Sequence, residues 1–327
     1  MPSNKYTPPT VSTVTLSSSV LLSLLRHTSE HYPSIFSGAL LGFEDEKTVD
    51  ITHAFPFPYP DQYEGGSFKS KSGSQYQKDL LENYKKLGYG VEFQGWFQST
   101  VSGSFVTSQL VEALAQQQLQ NPNIFILIHD MSSIGQEINL KALRLSNGFM
   151  NAYVDGKWRS RDLEKNKISY LNLFDELELD VQNQALVDLY LASSKPASIT
   201  ESDYNVVNLL SNSNSTAHLL ESLYGQVDSF NYDQNNFNYY QRQYSKEQGK
   251  IQQWKQQRKY ENLERAKNGE KELDTDEWKS QFKLPVEPSR LNNMLYSHSI
   301  DVLADDILKK CDEKLQKSFA INRKLTS

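Results

Sequence analysis

A chain of 327 residues with 38% hydrophobic side chains, 18 Tyr, 15 Phe and 4 Trp can bury a sizeable core, either as one large domain with an appendage or as two ordinary domains. A net charge of −6 gives no global basic field for nucleic acid, and the single cysteine, Cys311, excludes an internal disulfide framework and fits a reducing compartment. No apolar run reaches the roughly 18 residues of a membrane span, and the opening MPSNKYTPPTVST has no secretory-type apolar stretch, so the expectation is a soluble, cytoplasmic protein with no membrane contact.

Residues 1–10, polar and carrying Pro8-Pro9, read as a frayed lead-in. Thr13–Leu16 alternates as a short strand, and Ser17–Ser19 offer N-caps for a helix with Val20, Leu21, Leu24 and Leu25 on one face, ending before Pro33. Strand-like segments follow at Phe36–Phe43 and Val49–Phe55, joined by the charged turn EDEK. The run FPFPYP (Phe55–Pro60) stops the second, because proline cannot donate to a ladder, and Asp61–Ser74 is a Gly/Ser-rich loop. Gln75–Leu87 spaces Tyr76, Leu80, Tyr84 and Leu87 at helical intervals, and Gly88 closes it. Next come a strand at Val91–Gln98 and a helix from Thr107 to Gln120, terminated by Asn121-Pro122. Ile124–His129 (IFILIH) is continuously apolar, as in a strand buried on both faces, and Leu140–Leu145 (LKALRL) alternates as another strand. Asn147–Asn166 is polar and weakly patterned and reads as an excursion. Ile168–Phe174 and Leu177–Val181 form a further pair of strand segments, and Gln184–Leu191 a short helix. Mixed in this order, the elements predict an α/β (α+β) fold with a central sheet flanked by helices over roughly residues 11–192.

Composition then shifts. Ala192–Ser202 (ASSKPASITES) is linker-like, which divides the chain into a sheet domain at 1–195, a linker at 196–217 and a helical region at 218–327. Leu220, Leu223, Val227 and Phe230 continue into Phe237, Tyr240, Tyr244, Ile251, Trp254 and Leu263, mostly three, four or seven apart, which predicts a long helix with one apolar seam. A second helix, about Arg290 to Phe319, carries Leu291, Leu295, Ile300, Leu303, Ile307, Cys311 and Leu315. Helices so polar elsewhere gain little alone, so the seam at Leu223, Val227, Phe230, Leu303 and Ile307 is expected to enter a multi-helix bundle.

Chemistry in such a fold belongs where a strand, a tight loop and a helix meet, here Gly95–Val111 (GWFQSTVSGSFVTSQLV). This stretch resembles the zinc-site loop of the MPN (JAMM) metallo-isopeptidases. That family has His-Ser/Thr-His after the strand, a Ser eight residues further and an Asp three beyond that. The matching positions here are Gln98, Ser99, Thr100, Ser108 and Val111, and the family's acid/base Glu corresponds to Ile35, ahead of the strand GALLG (Gly38–Gly42). Catalytic zinc takes three imidazole, thiolate or carboxylate ligands and a water beside a base. An amide, a hydroxyl and an isopropyl group do not supply them. The resemblance therefore implies an MPN-type sheet with a degenerate site, no catalytic residue, no metal and no other cofactor.

Other candidate sites read more plainly as structure. His27 and His31 stand at i, i+4 without the intervening Glu of HExxH or a third ligand, so they read as a surface or helix-end pair. His129-Asp130 ends a buried strand, where a satisfied histidine is the simpler reading than an acid/base pair. Ser99 and Ser108 have no base beside them and are expected to hydrogen-bond the loop backbone. Lys250–Lys267, basic and interleaved with Trp254 and Tyr260, could give local RNA contact through phosphates; a solvated bundle-helix face is the alternative.

GALLG, FPFP, GWFQST followed by GSFV, LKALRL and QQRKYENLERAKNGEKEL together resemble the H-subunit family of eukaryotic translation initiation factor 3, over Val11–Leu191 and again around Gln252–Ile300. The resemblance implies a non-catalytic scaffold that pairs with a second MPN subunit, through Leu21, Leu24 and Leu25 of the first helix, and sends its C-terminal helices into a bundle with PCI-domain subunits. It also implies an assembly bound to the small ribosomal subunit during initiation. The alternatives are an active JAMM-type deubiquitinating isopeptidase, and a scaffold MPN subunit of the proteasome lid or signalosome.

Overall fold

The computed structural model describes residues 6–32, 34–57, 71–101, 105–131, 138–194, 204–269, 271, 273–274 and 276–326. Strands β1 (Thr13–Ser17), β2 (Ser37–Asp45), β3 (Thr48–Pro56), β4 (Glu92–Thr100), β5 (Phe125–Asp130), β6 (Asn139–Leu145) and β7 (Phe174–Gln182) form a sheet in the order β1-β3-β2-β4-β5-β6-β7. The short β1 pairs in parallel with both β3 and β7, so the expected central sheet is closed into a barrel.

Period-2 alternation feeds two cores. Leu40, Phe97, Phe125 and Leu127 point to one, covered by Val20 and Leu24 of α1 (Ser18–His31). Ala39, Leu41, Trp96, Ile126 and Ile128 point to the other, which takes in helix α3 (Ser108–Gln118) and partly buried residues of α2 (Lys71–Lys86). The spacing in GALLG has a steric cause at both ends. A Cβ on Gly38 would run into the Phe55 carbonyl and the Phe97 ring, and one on Gly42 into the Asp50 carbonyl. At α3 the Thr107 hydroxyl accepts from the Leu110 N–H at 3.2 Å, as its N-cap position predicts.

Several expectations are corrected. The lead-in is fastened from Thr10: the Asn123 side-chain oxygen accepts from the Thr10 and Val11 N–H groups at 3.0 and 3.3 Å, and Arg144 Nη1 donates to the Val11 carbonyl at 2.8 Å. Most of the loop expected at Asp61–Ser74 lies outside the described residues, but its end is already helical, because α2 starts at Lys71. The excursion 147–166 is instead two helices, α4 (Asn147–Asp155) and α5 (Ser160–Lys165), with Phe149, Met150 and Ala152 fully buried. The paired strand segments at 168–181 are one strand, β7, preceded by a 3-10 turn at Tyr170–Asn172. After α6 (Ala185–Ser193), the expected linker 196–217 is helical from Tyr204, the start of α7 (Tyr204–Asn268); residues 196–203 lie outside the described residues.

The helical region is not a free appendage. From the end of α7 the chain turns back along it: Asn262 exchanges two hydrogen bonds with the Leu273 backbone, Arg258 pairs with Glu277, and Arg290 covers the Phe237 ring at 4.1 Å. A single turn, α8 (Trp278–Gln281), lies on this return path, where Lys255 stands 4.5 Å over the Trp278 ring. The Arg290 N–H then donates to the Trp158 carbonyl at 2.8 Å, which pins the start of α9 (Leu291–Thr326) to the sheet domain. Met294 and Leu295 enter the same core as Leu145 and Phe149, and α9 packs along α7. No helix among the described residues is long and apolar enough to cross a membrane.

Candidate functional site

Three of the degenerate positions, Gln98, Ser99 and Thr100, lie at the end of β4, between β2 and β5. Ser37 pairs with Gln98, Ser99 with His129, and Thr100 with Asp130. Gln98 is buried, and its Oε1 has no hydrogen-bond partner among the described residues. Ser99 is fully buried and holds two strands together: its hydroxyl accepts from the Phe36 N–H at 2.7 Å, and its own N–H donates to the Phe36 carbonyl at 2.7 Å. Thr100 is buried with its hydroxyl unpartnered among the described residues. Val111 packs in the core of α3, Ser108 is exposed at that helix's first position, and Ile35 is 40% exposed ahead of β2.

This donor set does not fit a catalytic zinc ion. Where imidazoles and a carboxylate would converge, the chain presents a carboxamide, a hydroxyl and a buried hydrocarbon. Among the described residues, no three His, Cys, Asp or Glu side chains come together elsewhere. His31 stacks on Phe36 at 4.1 Å, and its Nδ1 bonds the His27 carbonyl at 2.8 Å, so that pair is engaged locally.

His129 ties the strand end to α1, with its Nδ1 3.1 Å from Thr28 Oγ1. Burial lowers its pKa, with the Asp130 charge acting the other way. A histidine held below its unfolded-state pKa favours the fold when neutral. That contribution is complete above the unfolded value, roughly 6.5, and is lost as pH falls through the lower folded-state value. Mild acid is therefore expected to loosen α1 from β5. Amide exchange in α1, corrected for intrinsic rates, should quicken there; unchanged α1 protection would contradict it.

Beside Thr100, the barrel end and α9 enclose a cavity of about 210 Å³, bordered by Asp130 and by His298 and Asp306 of α9. His298 Nδ1 bonds the Tyr170 carbonyl at 2.8 Å, and burial lowers its pKa. Sequence pattern does not foretell this cavity, because nothing local places α9 against β4 and β5.

Comparison with known proteins decides the family. The family model for the C-terminal region of eIF3h matches residues 134–325, and that for JAB1/Mov34/MPN/PAD-1 ubiquitin protease matches residues 9–123. A Yarrowia lipolytica protein, named as the H subunit of eukaryotic translation initiation factor 3, is 36% identical, over 89% of this chain and 92% of its own. The chain belongs to the H-subunit family of eukaryotic translation initiation factor 3. Proteins of the same name from Pyricularia oryzae and Neurospora crassa are 29% and 28% identical, each over 96% of this chain and 97% of their own.

In this member of the family the expected partner positions divide. Leu24 of α1 is 0% exposed and belongs to the core beneath the helix, so it is withdrawn as a partner contact; Leu21 and Leu25 are half-buried. The exposed leucine of α1 is its neighbour Leu22, at 68%. Parallel pairing of Ser17 with Gln182 makes α1 and α6 leave from the same end of adjacent strands. On α6, Leu186, Leu189 and Tyr190 are 78%, 67% and 71% exposed. A signal for this face lies in the sequence: a short helix apolar at nearly every position but Asp188 needs a cover.

The C-terminal seam is largely closed by the chain itself. Leu303 is 0% exposed and is likewise withdrawn, while Leu223, Val227, Phe230 and Ile307 are half-buried. Further along α9, Leu308, Leu315 and Phe319 are exposed. In the basic stretch of α7, Lys250 pairs with Glu247 at 2.7 Å, Arg258 with Glu261 at 3.5 Å and with Glu277, and Arg258 stacks over Trp254 at 4.7 Å. Of these pairs, Arg258–Glu277 ties α7 to the return segment, and the others lie within α7.

Proposed function

We propose that this chain is a non-catalytic scaffold component of translation initiation factor 3 in the cytoplasm. Its barrel pairs with a second MPN subunit, and its exposed α7 and α9 surfaces join PCI-domain subunits in the assembly that binds the small ribosomal subunit. The observation that carries this reading is the donor set: Gln98 and Thr100 at the end of β4 and Val111 on α3 stand in the metal-ligand positions with side chains that hold zinc poorly or not at all. The names of the relatives support the complex. They also favour it over the proteasome lid or signalosome, and the donor set weighs against an active isopeptidase. The internal pairing of Arg258 and Lys250 weighs against a primary RNA-binding role.

Elemental analysis of the purified chain is expected to find no stoichiometric zinc, and ubiquitin-linked isopeptide bonds are expected to survive incubation with it. A tightly held zinc ion that is lost on Gln98→Ala would overturn the reading. Mass spectrometry of the native complex captured with this chain should return other subunits of initiation factor 3.

A further inference from the structure

The cavity between the barrel end and α9 goes beyond the scaffold reading. Its walls are mostly hydrocarbon, with Ile128 and Leu143 from the sheet, Phe174 from β7 and Val302 from α9. Four buried or half-buried oxygen-bearing side chains border it from separate elements: Thr100 on β4, Asp130 on β5, Asn139 on β6 and Asp306 on α9. Thr100 is 1% exposed with an unpartnered hydroxyl, and one carboxylate oxygen of Asp306 is buried without a hydrogen-bond partner. Burial, helped by the Asp130 charge, raises the Asp306 carboxyl above its ordinary pKa, despite Lys310, Lys309 and Lys141 acting the other way. Lys310, one helical turn beyond Asp306, is buried at its nitrogen without a hydrogen bond and does not border the cavity. Lys141 and Glu176 are exposed and opposite in sign.

These features select a class of ligand. A divalent cation is poorly served, because among the described residues no three His, Cys, Asp or Glu side chains converge to coordinate it. An anion would meet two carboxylates. A single positive charge bearing several N–H donors on a hydrocarbon stem matches both the oxygen atoms and the apolar walls. We propose that this cavity binds an alkylammonium group, carried by a free straight-chain amine or by a lysine side chain, with the nitrogen among Thr100, Asp130 and Asp306 and the stem against Ile128, Leu143 and Phe174.

Calorimetric titration of the full chain with pentylamine, and separately with Nα-acetyl-lysine methylamide, tests this. Saturable binding is expected, about tenfold or more weaker in Asp306→Asn, weaker also in Thr100→Val, and absent with uncharged pentanol. Binding of pentylamine alone assigns the site to free amines, and binding of the lysine amide assigns it to side chains. Asp306→Asn removes a carboxylate repulsion, so its melting temperature should not fall, and a lost signal there is lost recognition rather than lost fold. The proposal is overturned if neither amine binds, if Asp306→Asn binds equally well, or if pentanol binds as tightly as pentylamine.

Discussion

Combining Leu22→Asp with Leu189→Asp is expected to strip the chain from the second MPN subunit proposed above while leaving its own fold intact. Both leucines are about two-thirds exposed, on helices that leave the same end of β1 and β7. Neither packs in a core of this chain, so charging them costs little within the monomer. Across an interface, each leucine would contribute roughly 1.5–3 kcal/mol on burial, and each carboxylate would add a desolvation penalty, so affinity should fall by roughly a hundredfold or more. Co-purification and a direct binding measurement check the loss, and an unshifted melting temperature checks the fold. Leu303→Asp is the contrast. That side chain is fully buried, so its replacement should lower the melting temperature of the isolated chain and says nothing specific about partners. If the Leu22/Leu189 variant binds the second MPN subunit as tightly as the parent, this face is not the interface with it.

Gly95→Ala should be among the most destabilising small substitutions in the chain. Gly95 lies on β4 directly opposite Phe125 of β5, and a Cβ there would sit inside the Phe125 carbonyl oxygen and 3.0 Å from its carbon. The obstacle is backbone in the middle of a closed sheet, not the far end of a flexible side chain, so β4 and β5 must part to admit the methyl group. A cost above about 3 kcal/mol, the upper part of the overpacking range, is expected in urea or thermal unfolding. Gly225→Ala on α7 is the matched control. Nothing lies within 4 Å of its Cβ position, and the helix should gain about 0.5–1 kcal/mol from alanine. A Gly95→Ala protein as stable as the parent would mean that β4 and β5 have room between them for a methyl group.

The parts legible in the sequence are those where local pattern and environment agree. The first five strands alternate or are continuously apolar, and their turns and caps carry the residues their geometry needs, as Thr107 does at α3 and Gly88 after α2. The helices α4 and α5 are hidden because Phe149, Met150 and Ala152 are the only deeply buried side chains in an otherwise polar stretch. Strand β7 looks interrupted because it buries only Leu177, while Asp175, Glu176, Glu178 and Asp180 give it the character of a loop. The degenerate site is legible because it depends on which donors occupy a fixed spacing, and donor chemistry is a property of residue type.

What the sequence determined by itself is therefore chemical: the absence of imidazole and carboxylate at Gln98, Thr100 and Val111, and the presence of two long helices with apolar seams. What only the tertiary structure decided is who covers what. Leu24 and Leu303 have the pattern of free partner contacts and are core, whereas Leu22 looks incidental and is exposed. The reason is physical. Amphipathicity specifies that a face must be buried, but not against which surface. For α9 that choice was made by the return segment along α7 and by Arg290 pinning α9 to Trp158, which bring Asp306 to within electrostatic reach of Asp130 from the far end of the chain.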